Sequence, residues 1–285
     1  MSTSPNCSWH RPKRGLRSRS PDRKDASMTT ILYILGSTRS GTSALRNAIA
    51  GTRYKGYGEG HLVPILSEII ASVRRNGQSG IGANIPGNGL SSLKPDDLIK
   101  TLFAGYEAYL ADQLKATHIV DKTPTIAPIF AAPDLAAYHS KAKFIHCSRR
   151  HLDNIQSKVK KFPDKSLENH AREWTDCHQA WFAARNTLEA QGQDFLEINF
   201  YEMAADPAGA AKKIGDYLEL DDAEITYVES YLLSQRPQAN KDRDLTQFLK
   251  LSELPWDDAD KRRFVEITSH VGSTLGYGLE HYFQA

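Results

Sequence analysis

The sequence contains few cysteines and no long apolar run. Its 285 residues include three cysteines, Cys7, Cys147 and Cys177, and no stretch of 18 or more consecutive apolar residues. An odd and scattered set of cysteines argues against a disulfide framework and lacks the spacing of a metal site. Without a long apolar run we expect no membrane span. These absences favour a globular protein of a reducing compartment, and we predict a cytoplasmic location.

Charge is unevenly distributed along the chain. Residues 1–28 carry seven Lys or Arg against two Asp, a net charge of +5, so a chain of net charge +2 has −3 over the remainder. The tail contains almost nothing that could be buried, and we predict that it is disordered. A basic tail can bind nucleic acid, which makes a non-catalytic nucleic-acid-binding protein one alternative. We favour a native start at Met28, a folded domain over residues 29–285 and no nucleic-acid partner.

Short apolar runs alternate with helical patterns after residue 29. The predicted strands lie at residues 31–35, 117–121, 143–147 and 195–199. The predicted helices lie at residues 42–50, 62–75, 94–114, 130–138, 167–190 and 207–218, and a helical C-terminal part follows at 223–234, 245–251 and 257–275. This alternation predicts an α/β fold, a single domain with a P-loop-like parallel β-sheet flanked by helices. Trp174, His178 and Trp181 share one face of the long helix 167–190, which we predict to lie in the core.

The first strand leads directly into a loop of small residues, Gly36-Ser-Thr-Arg-Ser-Gly-Thr-Ser43. A strand, a tight polar loop and a helix N-terminus together point backbone N–H groups and the helix dipole at an anion. The spacing nearly matches G-x-x-x-x-G-K-[ST], but Thr42 stands where a P-loop has lysine, and Arg39 is the loop's one cation. The missing lysine counts against the second alternative, a P-loop kinase or nucleotidase. The candidate anion-binding residues are Ser37, Thr38, Arg39, Ser40, Gly41, Thr42 and Ser43.

Two later segments complete a pattern with this loop. Arg149 follows the third strand with Ser157 eight residues on, and Tyr201-Glu202 precedes Pro207. Together the three segments resemble the sulfotransferases that use 3′-phosphoadenosine 5′-phosphosulfate (PAPS). The resemblance implies that the loop binds the 5′-phosphosulfate, that Arg149 and Ser157 bind the 3′-phosphate, and that Tyr201 borders the adenine. Arg150 is the alternative cation for the 3′-phosphate.

The same resemblance implies the catalytic residues. Glu59 lies between Gly58 and Gly60, which let a substrate come close, and it corresponds to the general base of the family. His61, whose ordinary pKa is nearer neutrality, is the alternative base. Lys122, at the end of the second strand, resembles the family lysine near the bridging oxygen. PAPS is then the donor substrate, and no metal is required for transfer.

The acceptor stays open at the level of sequence. Gly58-Glu59 and Asp121-Lys-Thr-Pro124 resemble the bacterial, carbohydrate and tyrosylprotein branch of the family, which implies a small-molecule, carbohydrate or peptide acceptor. Lys241 and Arg243 are candidates for a C-terminal loop that closes on the donor. The glycine-rich residues 76–95 form either a lid beside the acceptor or a surface insertion. The sequence does not indicate an oligomeric state.

Overall fold

In the computed structural model of the chain, residues 29–79, 85–87, 89–139, 141–234 and 248–284 are described. Four strands form one parallel sheet in the order β2-β1-β3-β4. The strands are β1 (Thr30–Leu35), β2 (His118–Lys122), β3 (Ala142–Ser148) and β4 (Leu196–Asn199). The predicted parallel sheet is confirmed. The predicted tail, residues 1–28, lies outside the described residues.

Helices follow each strand and cover both faces of the sheet. In chain order they are α1 (Thr42–Ala50), α2 (Val63–Ser79), α3 (Pro95–Leu114), α4 (Ile126–Tyr138), α5 (His151–Lys161), α6 (Leu167–Ala190), α7 (Phe200–Ala205), α8 (Pro207–Leu218), α9 (Asp222–Ser234) and α10 (Asp258–Thr274). The predicted helical C-terminal part is therefore present as α9 and α10. Among the described residues, no helix combines the length and apolar character needed to cross a membrane.

The central strand β1 is apolar on both faces, as expected for a parallel sheet covered by helices on both sides. Ile31, Tyr33 and Leu35 pack in the core formed with α2, α3, α4 and α6. Leu32 and Ile34 pack in the opposite core, with α1, α8 and α9. Since successive side chains of a strand point to opposite faces, both cores depend on the register of this one strand.

The strand order sets where the site forms. In a parallel sheet all carboxyl ends lie at one edge, and ligands bind beyond that edge where the chain leaves adjacent strands in opposite directions. Here β1 lies between β2 and β3. The order therefore places the end of β2 with Lys122, the loop after β1, Arg149 after β3 and Tyr201 after β4 side by side.

Three helical segments differ from the prediction. Helix α5 (His151–Lys161) was not predicted. The short helix α7 was not predicted; it begins because the Asn199 side chain accepts a hydrogen bond from the Glu202 N–H (2.8 Å). A helix over 245–251 is wrong for its described part, where residues 248–250 have no regular structure and a 3₁₀ turn follows at Leu251–Glu253. The Leu249 carbonyl instead accepts a hydrogen bond from Arg150 (2.6 Å).

A third core joins α5 and α6 to α10 and the C-terminal segment, and it contains a column of buried rings. His178 contacts Trp174 with ring centroids 4.5 Å apart and His146 with centroids 5.3 Å apart. The predicted burial of Trp174, His178 and Trp181 is confirmed. Burial, with a smaller contribution from the charge of Lys158, lowers the pKa of His178 from 6.5 to about 3. The native protein therefore keeps this imidazole neutral.

A buried neutral histidine predicts how one variant's stability depends on pH. Between pH 6.5 and about 3 the unfolded chain binds a proton at His178 and the native chain does not. The free energy of unfolding therefore decreases as the pH is lowered, by up to ~1.4 kcal/mol per pH unit. The variant His178→Gln has no group at this position that binds a proton, so this decrease is absent from it. We expect its stability deficit relative to wild type to shrink by about that amount per unit between pH 6 and pH 5, measured by urea unfolding. A deficit that is the same at pH 7, 6 and 5 would contradict the assignment.

Candidate active site

The loop after β1 adopts a tight conformation with three residues of positive φ. These are Gly36 (140°), Arg39 (70°) and Gly41 (95°). A methyl group at Gly36 would overlap the carbonyl oxygen of Cys147, so the loop lies directly against β3. Helix α1 then begins at Thr42 with no side-chain hydrogen bond at its N-cap and no acidic residue in its first turn. The positive end of the helix dipole is therefore left for an anion from outside the chain.

A buried amide on α5 fixes the shape of this loop. The Asn154 Nδ2 donates to the Thr38 carbonyl oxygen (2.9 Å) and to Ser40 Oγ (3.0 Å), and Asn154 is fully buried. The Ser40 N–H also donates to the Ser37 carbonyl (3.2 Å). Asn154 is not among the predicted site residues, although it lies between Arg149 and Ser157. These hydrogen bonds hold the loop in its conformation.

Three of the predicted donor-binding residues converge beside the loop. Arg39 Nε donates to Ser157 Oγ (2.9 Å), and Arg149 Nη1 donates to the Arg39 carbonyl oxygen (3.0 Å). The Arg149 guanidinium also lies over the ring of Phe200, 4.3 Å from its centroid. The Arg39 side chain thus reaches Ser157, the residue that the resemblance assigned to the 3′-phosphate. Two guanidinium groups and a hydroxyl in one place suit a phosphate.

The alternative cation, Arg150, has a different environment. Its side chain is fully buried and donates to the carbonyl oxygens of Gly278 (2.7 Å), Leu249 (2.6 Å) and Leu279 (2.7 Å). It also pairs with Asp153 at 3.2 Å. These partners use the guanidinium to fix the C-terminal segment against β3. Of the two adjacent arginines, Arg149 is therefore the one that lies at the loop of residues 36–43, named the phosphate loop for its P-loop-like spacing.

Glu59, Lys122 and His61 form one hydrogen-bonded group. Lys122 Nζ donates to Glu59 Oε1 (2.6 Å) and to Ser43 Oγ (3.2 Å), and His61 Nε2 lies 2.8 Å from Glu59 Oε2. The Lys122 side chain is 2% exposed, whereas Glu59 and His61 are open to solvent. Ser43 belongs to the first turn of α1, so this group adjoins the phosphate loop. The arrangement places a carboxylate and a buried ammonium at the same edge of one anion site.

The pKa of Glu59 reflects opposed effects. Partial burial raises it, but the hydrogen bonds and charges of Lys122 and His61 outweigh burial and leave the pKa below the ordinary value. Glu59 is therefore ionised at neutral pH and can accept a proton. Each of its oxygens accepts one hydrogen bond, and because an ionised carboxylate has about four acceptor positions and this side chain is 43% exposed, an acceptor hydroxyl has room to reach it.

The residues predicted near the adenine are only partly described. The half-buried Tyr201 packs on Tyr282 with ring centroids 4.7 Å apart, and it also contacts Phe248 and Phe283. Tyr201 follows Phe200, whose ring lies under Arg149, so an aromatic surface adjoins the guanidinium cluster. The candidates Lys241 and Arg243 lie outside the described residues, as does part of the loop at 76–95. Within the described part of the chain, no group of three or more His, Cys, Asp or Glu could hold a metal ion.

A parallel sheet with a phosphate-type loop after its first strand, flanked by helices, places the protein in the P-loop-like α/β class. The model of the Sulfotransferase family matches residues 32–224, about two thirds of the chain. The chain therefore belongs to the sulfotransferase family. No curated protein matches this sequence significantly.

Three solved structures share the fold. The sulfotransferase domain of the olefin synthase from Synechococcus PCC 7002 has a TM-score of 0.51 and 21% identity, covering 87% of this chain and 97% of that domain. The sulfotransferase domain of the curacin biosynthetic pathway has a TM-score of 0.52 and 19% identity, covering 88% and 99%. The sulfotransferase STF9 from Mycobacterium avium has a TM-score of 0.54 and 12% identity, covering 89% and 79%. At these identities the likeness concerns the fold.

Replacing the buried ammonium tests the geometry of the group. Lys122→Met removes the hydrogen bond and the charge that lower the pKa of Glu59, and burial then acts with less opposition. We expect the pKa of Glu59 to rise, as followed by carbon-13 NMR of labelled glutamate side chains, with the resonance assigned by its loss in Glu59→Gln. Lys115→Met, at an exposed lysine paired with Asp112, is the control and leaves Glu59 unchanged. An unchanged titration of Glu59 in Lys122→Met would show that the two groups are not paired in solution.

Proposed function

We propose that this protein transfers the sulfuryl group of PAPS to the hydroxyl or amine of an acceptor, with Glu59 as general base. The observation that carries the proposal is the chain of contacts from Glu59 through Lys122 to Ser43. It joins a carboxylate that can accept a proton to a buried cation and to the first turn of α1. Sulfuryl transfer needs these two functions next to each other.

The described residues fit a donor with two separate anionic groups. The uncapped N-terminus of α1 and the backbone N–H groups of residues 37–43 suit the 5′-phosphosulfate, whereas the Arg39 side chain points to Ser157. The cluster of Arg39, Arg149 and Ser157 suits the 3′-phosphate. The aromatic surface at Tyr201 offers ring faces to a base. Lys241 and Arg243 stay candidates for the loop that closes on the donor.

The chemistry assigns one task to each residue of the catalytic group. The acceptor oxygen forms a bond to sulfur as the bond from sulfur to the 5′-phosphate oxygen breaks, and the acceptor proton passes to a Glu59 oxygen. Lys122 Nζ stabilises the negative charge that develops on the departing phosphate oxygen. Lys122 is paired with Glu59 (2.6 Å), so a bound donor draws the ammonium toward a second anion and weakens this pair. His61 orients the carboxylate through its other oxygen.

Two alternatives have less support. A P-loop kinase or nucleotidase would share the architecture, but the family match and Thr42 in place of the loop lysine favour sulfuryl over phosphoryl transfer. A nucleic-acid-binding protein rests on residues 1–28, outside the described residues. His61 as the base stays an alternative within the same site, since it lies 2.8 Å from Glu59.

The acceptor class and the cellular location remain predictions. The motifs around Glu59 and Lys122 favour the bacterial, carbohydrate and tyrosylprotein branch, hence a small-molecule, carbohydrate or peptide acceptor. We also propose that no metal ion takes part in transfer. The cytoplasmic location rests on the scattered cysteines, of which Cys147 and Cys177 are buried free thiols.

The donor assignment predicts how nucleotide binding responds to substitution. Arg149→Ala and Ser157→Ala should weaken binding of 3′-phosphoadenosine 5′-phosphate (PAP) in isothermal titration calorimetry, by about 10- to 100-fold for the arginine, because a charged hydrogen bond is lost. Binding of adenosine 5′-monophosphate, which lacks the 3′-phosphate, should change little. Arg172→Ala, at an exposed ion pair with Glu168, is the matched control. Failure of the wild-type protein to bind PAP would overturn the donor assignment.

The base assignment predicts a separation of binding from turnover. Glu59→Gln keeps the side-chain size but cannot accept the proton, so we expect turnover to fall by about 100-fold or more and PAP affinity to stay within about twofold. The assay is PAP release from PAPS with a panel of phenols, sugars and tyrosine peptides, using whichever acceptor the wild type sulfates. Full turnover in Glu59→Gln together with loss of turnover in His61→Gln would move the base to His61.

A further inference from the structure

Asp121 lies next to Lys122 on β2 but on the opposite face of the sheet. It pairs in register with Tyr33 of β1, whose side chain belongs to the core with α2, α3, α4 and α6. Asp121 is 7% exposed, an unusual position for a carboxyl group beside an apolar core. Burial raises its pKa to about 6, although a hydrogen bond from Thr123 and the charges of His61 and Lys122 act in the other direction. The groups facing it from neighbouring elements are Tyr33 on β1 and Tyr106 on α3.

The segment that carries Glu59 runs along β2 and is fixed to it at both ends. Lys55 forms a parallel bridge to Ile119, with the Lys55 N–H donating to the His118 carbonyl (2.9 Å). Further along, the Gly60 N–H donates to the Lys122 carbonyl (3.2 Å). Glu59 therefore lies in a short span between two attachments to the strand that also presents Lys122. The position of its carboxylate depends on how closely this span approaches β2.

Gly60 approaches Asp121 so closely that no side chain fits between them. A methyl group built on Gly60 would overlap the Asp121 carboxylate. The backbone of Gly60 is not in the left-handed region, so glycine is required there by space. Gly58, on the other side of Glu59, has no atom within 4 Å of the corresponding position. The two glycines that flank the base thus differ, since one contacts a buried carboxylate and the other is open.

A hydroxyl group adds a second connection between Asp121 and the catalytic segment. Thr123 Oγ1 lies 3.5 Å from Asp121 Oδ1, a long hydrogen bond, and accepts a hydrogen bond from the His61 N–H (2.8 Å). Thr123 is buried, so water does not compete for its hydroxyl group. A hydroxyl that donates to Asp121 keeps its oxygen lone pairs toward His61. Asp121 therefore acts on both residues that follow Glu59.

We propose that Asp121 is a positioning residue of the transfer reaction. Its carboxylate is the surface on which Gly60 rests, and this contact, with the Thr123 bridge to His61, sets Glu59 at hydrogen-bonding distance from Lys122. The contact itself is a property of the free protein. Its consequence for catalysis rests on the function proposed above.

The test measures the Glu59–Lys122 pair in the free protein, where neither donor nor acceptor is needed. Gly60→Ala should displace Glu59 from Lys122, so the pKa of Glu59 should rise toward its ordinary value in carbon-13 NMR of labelled glutamate. Gly58→Ala is the matched control and should leave this pKa as in the wild type. Adding Asp121→Ala to Gly60→Ala should lower the pKa of Glu59 again, because space for the methyl group is restored. Adding Asp121→Asn to Gly60→Ala removes the charge but keeps the size of the side chain, so it should leave the pKa of Glu59 raised.

An unchanged pKa of Glu59 in Gly60→Ala, or equal rises in Gly60→Ala and Gly58→Ala, would overturn the proposal. Should Gly60→Ala fail to fold, as judged by thermal unfolding, Thr123→Val tests the same connection at nearly constant shape. It should raise the pKa of Glu59, and an unchanged value in that variant would likewise overturn the proposal.

The catalytic consequence has its own readout. With PAPS and an acceptor that the wild type sulfates, Gly60→Ala should reduce kcat by about 100-fold, as expected for a misplacement of about 1 Å. PAP affinity should stay within about twofold. If the pKa of Glu59 shifts as expected but the wild type does not bind PAP, the positioning role stands and the proposed function fails. If the wild type binds PAP but the pKa of Glu59 does not shift in Gly60→Ala, the donor assignment stands and the positioning role of Asp121 fails.

Discussion

The ion pair between Glu59 and the buried Lys122 is the interaction on which the site depends. An ammonium group with 2% of its side chain exposed needs hydrogen-bond partners, and it finds them in Glu59 and Ser43. These partners come from the segment after α1 and from α1 itself, so one cation joins β2 to the loop that follows β1. The same pair lowers the pKa of Glu59 against the effect of its partial burial. Under the proposed function, binding of an anionic donor next to Lys122 is therefore coupled to the proton affinity of Glu59.

The sheet order makes this interaction possible. Placing β1 between β2 and β3 brings Lys122, the phosphate loop and Arg149 to one edge, although they are far apart in sequence. The loop is held by hydrogen bonds from Asn154 of α5 and by the close contact of Gly36 with β3. The C-terminal segment adds a further constraint through Arg150, which binds three carbonyl oxygens next to the residue that contacts the loop. Contacts from α5, β3 and the C-terminal segment thus hold the site in place.

Much of this could be predicted from the sequence, because strand ends and small-residue loops leave local signals. The four strands and the loop after β1 follow from such signals, whereas Glu59 and Lys122 were singled out by the resemblance to the sulfotransferases. The division of roles between Arg149 and Arg150 could not be predicted, since it depends on the C-terminal segment packing against β3 more than 100 residues further along the chain. The partner of Arg39 and the role of Asn154 depend likewise on side-chain directions. The helix α7 had a signal that was overlooked, since Asn199 followed three residues later by Glu202 is typical of a helix start.

The proposed function places sulfuryl transfer from PAPS at the edge where Lys122 meets the phosphate loop. The most direct measurement follows radiolabelled sulfuryl from PAPS into an acceptor while PAP is quantified in the same mixture, with a chelator present to remove divalent metal. We expect a sulfated product and PAP in equal amounts. No labelled product with any acceptor class, together with magnesium-dependent turnover of ATP by the same preparation, would contradict it.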